Sequence, residues 1–593
     1  MHAFIPRKKS CIVILKLEKD NRIFRRFTME KTMRDLLGAV KDPAREIPRM
    51  KTGESIYRNQ NGEIIIFLSI SDKKGRSIVV NGTGTSFKQA AEKAAAFYHS
   101  HHSRSMQPVH LKLDLVTSVK TKGNLPVHTA NLAYKRRTDG LVLNGMWEAA
   151  FLPEEVDAYG MIENKKLKRE RMFRAAENRF QLHNTHLLKM LTVEDEFELA
   201  YFRTQAYFID ETGVMPLFRG HRVYRELTEG ILRYAIKLPK NHYFMHSVNK
   251  DGRFLYSYDP AVGTAARGYN ILRHAGTLYA MLETYECFPE EKLMKEAKKA
   301  LHFLLSKVVP LSEKEDSVKV LVDKDIVKLG GNGLTIVALA KYTDVTGDEQ
   351  YLPLMRSMAE WTLQTQDEKG NFSVHKQKFS TGEVSPFVSS YYPGEAMLAL
   401  TRLYEVDPQE KWLDACEKQA EYLIHTRDKE ETKETIEHDH WLLYALADLH
   451  EERGGEDYLN HALFIARAIT ASQREKREGV DPEWAGSFEM KGIPRSTPTA
   501  CRSEGLGAAC RLALRNGLNE EAEIFFEAMK KGILFQLQMQ LRPESVMYYD
   551  YKDLCLGALH ESLTSYELRN DYTQHNVSSF ISCYYLMQEE FYQ

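Results

Sequence analysis

Six stretches of this chain concentrate the groups that do chemistry. The first pairs Tyr256-Ser-Tyr-Asp259 with Arg267-Gly-Tyr-Asn-Ile-Leu-Arg-His274. The others are Gly330-Gly-Asn332, Ser389-Ser-Tyr-Tyr-Pro-Gly-Glu395, Glu437-His-Asp-His-Trp441, Pro494-Arg-Ser-Thr-Pro-Thr-Ala-Cys-Arg-Ser-Glu504 and the run ending Arg569-Asn-Asp-Tyr-Thr-Gln-His-Asn576. Glycoside cleavage needs a protonated acid at the leaving oxygen and a second carboxylate as base or nucleophile. Asp439, Glu395, Glu504 and Asp571 are candidates for these catalytic roles. Asp439 is the expected acid, because His438, His440 and Trp441 flank it and an apolar ring helps keep a carboxyl protonated. Arg273, His274, Asn332, Tyr392, His438, His440, Trp441, Arg502, Gln574 and His575 form the expected substrate-binding set, with rings to stack on sugar faces and polar groups to hold hydroxyls. A second chemistry, proton abstraction beside a carbonyl, would use two imidazoles from His274, His438, His440 and His575, with Arg273 or Arg502 polarising the carbonyl.

Each stretch alone has a plainer reading. Pro393 and Glu395 suit the first turn of a helix, and Asp439 or Ser503 can be a simple N-cap. Recurrence in all six argues for one shared pocket. Other site types are missing from the sequence. There is no phosphate-binding glycine loop and no GxSxG elbow. His438 and His440 lie two apart, which does not match the His-x3-His of a helical zinc site; metal binding by His438, His440 and His575 is a minor alternative, and no metal and no cofactor are expected.

With 81 basic and 82 acidic residues the charge is balanced, which gives no support for a nucleic-acid partner. No apolar run reaches the length of a membrane span. The apolar run Cys11–Leu15, after Arg7, Lys8 and Lys9, is too short for a signal-peptide core. Seven cysteines without CxxC spacing, several in apolar helical patterns (Cys416, Cys510, Cys583), point to free thiols and a cytoplasmic protein. The expected partner is a carbohydrate or another small polar substrate.

The elements that must position these groups repeat. Apolar helices rich in small residues begin near Ile271, Leu334, Gly394, Trp441, Ser503 and Val577. Apolarity around most of the circumference predicts burial on most sides. Amphipathic helices follow them over 290–308, 349–365, 411–426, 458–472 and 520–539. The last inner helix has no outer partner after it, and the missing one, Tyr224–Leu238, stands before the first. That permuted count predicts a ring closed between its ends, an (α/α)6 barrel over 223–593, rather than an open α-solenoid. Parallel inner helices gather their N-termini at one mouth, where free N–H groups favour polar ligands.

Residues 1–190 read as mixed α/β, with strands at Cys11–Leu17, Glu63–Ile70, Ser77–Asn81 and Val109–Val116 and a helix over Ser86–His99. Gly140-Leu-Val-Leu-Asn-Gly-Met-Trp-Glu-Ala-Ala-Phe-Leu-Pro-Glu-Glu-Val156 reads as strand, turn, strand and helix start. It resembles the glycine-turn, Ala-x-Phe-Leu-Pro pattern of the AmmeMemoRadiSam protein A (AMME chromosomal-region) family. That family's Arg-Gly-Cys-Ile-Gly segment is absent; Arg22-Ile23-Phe24-Arg25-Arg26 stands in the comparable region. Residues 191–222 read as a linker containing a strand, Glu196–Ile209, followed by a loop. The fold class expected is therefore multidomain, an N-terminal α/β domain followed by an all-α six-hairpin toroid. The toroid and its polar mouth resemble the six-hairpin glycosidases and the N-acylglucosamine 2-epimerase group. The resemblance implies a hydrolase acting on a glycan that can include uronic acids or amino sugars. The alternatives are a sugar epimerase and a non-catalytic glycan- or peptide-binding module.

Overall fold

The computed structural model describes residues 29–50, 55–126, 131–180, 196–312, 315–488 and 491–589. The expected strand at Cys11–Leu17 lies outside them. The chain is multidomain. A sheet-rich unit comprises Met1–Val223 with Pro543–Lys552, and a helical unit comprises Tyr224–Arg542 with Asp553–Gln593.

The sheet-rich unit contains α1 (29–41), β1 (Ile64–Ser71), β2 (Ile78–Gly84), α2 (Phe87–His101), β3 (His110–Pro126), β4 (Gly140–Leu143) and β5 (Met146–Phe151). It continues with α3 (Pro153–Ala158), β6 (Ile162–Glu163), β7 (Lys166–Leu167), α4 (Arg169–Phe180), β8 (Glu196–Asp210), β9 (Gly213–Phe218) and β10 (His221–Arg222). The main sheet runs β10-β9-β8-β3-β1-β2, with β4 on β8 and β5 on β4. β1 is buried at every position. Its Ile64, Ile66, Leu68 and Ile70 pack with Met33 and Leu36 of α1 and Phe87, Ala90 and Tyr98 of α2. Side chains alternate along a strand, so Phe67 and Ser69 face the other way, where Phe67 stacks on Phe202 at 5.4 Å and Ser69 bonds Tyr548 at 2.9 Å. Ser86 caps α2 by accepting from the Gln89 amide. The β4–β5 turn is Asn144-Gly145, both at positive φ, as a tight hairpin requires.

The sequence reading of 191–222 as a linker is corrected here. β8 pairs with β3 along almost its whole length and sits inside the sheet, and the expected loop after it forms β9 and β10. The alternation of β8 was readable, whereas its partner strand, far away in sequence, was not. The unit is completed by Pro543–Lys552. Arg222, 3% exposed, bonds Glu544 at 2.8 and 3.0 Å and pairs with Asp210. Both carboxylates are equally buried.

The helical unit alternates outer and inner helices: α5 (Glu229–Asn241), α6 (Ile271–Cys287), α7 (Glu291–Leu305), α8 (Leu329–Thr346), α9 (Leu352–Gln364) and α10 (Tyr392–Val406). Then follow α11 (Glu410–Tyr422), α12 (His440–Arg453), α13 (Glu456–Ala471), α14 (Ser496–Arg515), α15 (Asn519–Gln536) and α16 (Asn570–Glu589). The even-numbered helices are the inner ones. Each packs on the next in the order α6, α8, α10, α12, α14, α16, and α16 packs on α6. α5 lies against α16, where Tyr584 bonds Glu229 at 3.4 Å. Side-chain contacts between neighbouring inner helices run in the same order. Leu272 meets Gly331, Gly330 meets Tyr392, Gly394 meets Leu442, Gly505 meets His440, His575 meets Glu504 and Gln574 meets Gly276. Three inner helices begin earlier than expected. α8 starts at Leu329, α14 at Ser496 and α16 at Asn570. Gly330-Gly331 and Pro498 look like breakers in sequence, but the first turn needs no N–H from proline. Glu504 and His575 therefore lie inside their helices rather than at the tips.

Replacing Arg222 with Ala strands two buried carboxylates. Loss of one partner from a buried ion pair costs about 3–5 kcal/mol. Arg222→Ala should lower the denaturant midpoint accordingly, with Arg222→Lys in between. A midpoint equal to the wild type would remove this clamp from the account.

Candidate active site

Asp439 is the N-cap of α12. Its Oδ1 accepts from the Trp441 amide at 3.0 Å, and its Oδ2 has no hydrogen-bond partner among the described residues. Glu395, in the first turn of α10, is also buried with Oε2 unpartnered. Glycines on the neighbouring helices make room for both carboxyls. A Cβ on Gly330 would overlap Glu395 Oε2, and one on Gly394 would come within 2.7 Å of Asp439 Oδ2. Burial raises the Asp439 carboxyl from 3.8 to about 7, against the nearby charge of Arg427. Burial and then the Asp439 charge push Glu395 well above the carboxylate range. Two such groups titrate as a pair. The pair holds a proton at neutral pH, with Glu395 keeping it longest.

Beside this pair, α12, α14 and α16 contribute a second cluster. His575 Nδ1 bonds Glu504 Oε1 at 2.9 Å, and Tyr444 donates to Glu504 Oε2 at 3.4 Å. The Cys501 thiol bonds the same imidazole. His440 is 3% exposed, and neither ring nitrogen has a partner among the described residues. Its ring lies 4.4 Å from that of Trp441 and 5.2 Å from that of His575. Burial, and then the charges of His575 and Arg502, lower His440 well below 6.5, so it is neutral. Burial would also depress His575, but Cys501 and Glu504 outweigh it and raise it well above 6.5. Burial raises Glu504 to about 7.

Donor atoms of His440, Cys501, Glu504 and His575 lie within 4.8 Å of one another. Two imidazoles, a thiol and a carboxylate form a donor set suited to a zinc-like ion. The sequence reading weighed His438, His440 and His575 as ligands; His440 and His575 belong to this set, and His438 does not. Cys501 is the member that it did not single out. The available signal was its place three residues before Glu504 in a polar helix start.

Several expected site residues are engaged elsewhere. His274 is fully buried, with Nδ1 bonded to the Tyr269 hydroxyl at 2.6 Å and Nε2 to the Ala300 carbonyl at 2.8 Å. It ties α6 to α7 and does not join the cluster, and burial lowers its pKa to about 4. Asn332 accepts from the Leu321 amide and donates to the Lys328 carbonyl, both at 2.9 Å. It anchors the preceding hairpin, because its amide satisfies backbone groups that would otherwise be unpaired. Asp571 is gripped by Arg569 at 2.6 and 2.9 Å and by Arg273 at 3.0 Å, and Arg273 also bonds Tyr256. Arg502 bonds His438 at 2.9 Å, and burial together with that charge lowers His438 to about 4. Tyr392 lies against Gly330 beside Glu395, and Gln574 approaches His575 at 3.5 Å.

Residues 257–500 match the family model of the GH127 catalytic domain, described as β-L-arabinofuranosidase. The chain is a glycoside hydrolase-like enzyme. Its substrate class is carbohydrate. A search of curated proteins by sequence finds no match. Similar solved structures include the GH76A α-1,6-mannanase of Salegentibacter sp. HEL1_6, at 15% identity and TM-score 0.42, covering 60% of this chain and 99% of that one. The cellobiose 2-epimerase of Spirochaeta thermophila is similar at 13% identity and TM-score 0.43, covering 61% and 97%. An unsaturated glucuronyl hydrolase specific for heparin is similar at 13% identity and TM-score 0.44, covering 61% and 99%. Among the described residues no helix is long and apolar enough to cross a membrane.

The raised Asp439 carboxyl makes folding take up a proton between pH 4 and 7, because the unfolded chain is ionised there and the folded one is not. Its contribution is present in full below the unfolded pKa and is lost as pH rises through about 7. Relative to Asp439→Asn, the wild type should lose about 1.4 kcal/mol per pH unit across that window. Denaturant midpoints of both proteins at several pH values measure this. Parallel pH profiles would mean that Asp439 is ionised throughout.

Proposed function

We propose that the helical unit is an (α/α)6 barrel and the catalytic domain, hydrolysing a glycosidic bond where its inner helices begin. The cyclic packing order and the matching order of side-chain contacts between the inner helices support the architecture. The AMME-like reading of the N-terminal unit rests on its strand–turn–strand and helix over Gly140–Val156, and it assigns that unit no chemistry.

The observation that carries the reaction is the Glu395–Asp439 pair, two buried carboxyls each with an unpartnered oxygen. A carboxyl kept protonated at neutral pH can deliver a proton to the leaving oxygen, which is the first requirement of glycoside cleavage. The second is a base for the attacking water. His440, neutral and with both nitrogens unpaired, fits that role. Glu504 holds His575 in place beside it, and the Trp441 ring offers a face for the sugar. Asp571 acts at one remove, holding Arg273. The activity attached to the matching family model makes a terminal arabinofuranoside the first substrate to try, with glycans containing uronic acids or amino sugars next.

A second reading, epimerisation, is favoured by the His440–His575 pair, whose rings are close and whose protonation states are opposite. One could remove a proton beside a carbonyl and the other return it.

Asp439→Asn and Glu395→Gln should each reduce glycoside hydrolysis by about 10²–10⁴-fold. Asn keeps most of the capping ability, so near pH 4, where the buried Asp439 carboxyl holds its proton, stability should stay within about 1 kcal/mol of wild type. Turnover and thermal melting are to be read on the same preparations. Retained hydrolysis in both variants removes the carboxyl pair from the mechanism. Deuterium exchange from D2O beside a sugar carbonyl, lost in His440→Gln and His575→Gln, would replace the hydrolase with the epimerase.

A further inference from the structure

The helical unit has a half-open cavity with polar groups among Phe254, Leu255, Tyr256 and Tyr269, none of its lining residues belonging to the buried cluster. About 270 Å³ in volume, it is walled by the chain over 246–256 and 266–269. Its lining is cationic and rich in donors. Arg253 and Arg267 both face it, and no carboxylate lines it. Neither arginine has a carboxylate partner among the described residues. Arg253 lies over the Tyr269 ring at 4.5 Å, which fixes the plane of its guanidinium. Arg267 is exposed.

The remaining polar groups extend the pattern. Ser247 is 1% exposed, and its hydroxyl has no hydrogen-bond partner among the described residues. A buried hydroxyl left unpaired is uncommon and needs a reason. The Asn249 carbonyl oxygen is occupied by the amides of Asp251 at 3.0 Å and Arg253 at 2.9 Å, so its NH2 group is what it can offer. His246 donates through Nδ1 to the His242 carbonyl at 2.8 Å, which leaves Nε2 as an acceptor. The cavity thus presents two guanidinium groups, a hydroxyl and an amide NH2 beside one imidazole acceptor. That combination suits a carboxylate flanked by hydroxyl groups. Guanidinium forks match carboxylate geometry, and charge-assisted hydrogen bonds are about twice as strong as neutral ones. Drug-sized ligands occupy roughly 300–1,000 Å³, so this smaller space suits a single sugar residue.

Tyr256 connects the cavity to the site above. It lines the cavity and bonds Arg273, which pairs with Asp571 at 3.0 Å. Asp571 lies four residues before His575, on the same face of α16. The cavity is therefore one chain of side chains away from the cluster.

We propose that this cavity is a subsite for the carboxylate of a uronic acid residue in the glycan. The assignment of the ligand to a glycan rests on the proposed function; the recognition of the anion does not. The test is a direct titration of the full chain, followed by calorimetry or NMR, with sodium glucuronate, glucose and sodium sulfate as probes. Arg267 has no partner to lose, so Arg267→Gln should melt like the wild type. Glucuronate should bind about ten-fold or more tightly than glucose, and Arg267→Gln should abolish that preference. Equal binding of glucose and glucuronate, or unchanged glucuronate binding in Arg267→Gln, overturns the proposal. Sulfate binding as tightly as glucuronate also overturns it, since the cavity would then take any small anion. Binding needs no turnover, so the two readings fail separately. A protein that prefers glucuronate and cleaves nothing keeps the subsite and removes the hydrolase. One that cleaves neutral glycans and shows no such preference does the reverse.

Discussion

The inner helices of the C-terminal unit bury carboxyl and imidazole groups against positions where the neighbouring helix has no side chain. Gly330 leaves the space for Glu395 and Gly394 the space for Asp439. A polar group in such a slot loses water on every side, and this desolvation disfavours its charged form. The proton affinities of the cluster follow from that confinement. Burial raises the proton affinity of three carboxyls, Asp439, Glu395 and Glu504; one imidazole stays neutral, and a second keeps its charge only because Cys501 and Glu504 face it. The packing of small residues and the acid–base properties of the site are thus one arrangement seen from two sides.

Much of this was legible in the sequence for a reason that can be named. Inner helices touch neighbours on most of their circumference, so they must be apolar and small all round, and that composition recurs visibly at Ala275–Met281, Leu334–Ala340 and Gly505–Cys510. Polar residues at the starts of such helices stand out against it. What a side chain meets across the gap between helices was not legible. His274 and Asn332 are polar residues near the starts of inner helices, as His440 and Glu395 are. They differ in what they meet: His274 bonds the Ala300 carbonyl of α7 and Asn332 the hairpin before α8. Those partners lie on other elements, and residue type and helix position do not reveal them. Cys501 was not singled out within its polar helix start, because its imidazole partner, His575, lies on another helix.

The sheet-rich unit shows the same limit in β form. The alternation in β8 was clear, but a strand pattern says nothing of which strand it will pair with. Its neighbour β3 is far away in sequence, and the described residues between them form two hairpins and two helices. Parity of side chains along β1 likewise separates an apolar face, under α1 and α2, from one that carries Ser69 and receives Tyr548.

That last pairing has a consequence for how the molecule is made. Tyr548 and Glu544 are encoded hundreds of residues after Ser69 and Arg222, the groups they satisfy. During synthesis the first 223 residues leave the ribosome long before the piece that completes them. A nascent chain halted anywhere before residue 543 therefore carries an unfinished domain, with Arg222 lacking Glu544 and Ser69 lacking Tyr548. Completion of the N-terminal unit in this way follows the synthesis of residues 224–542, most of the helical unit.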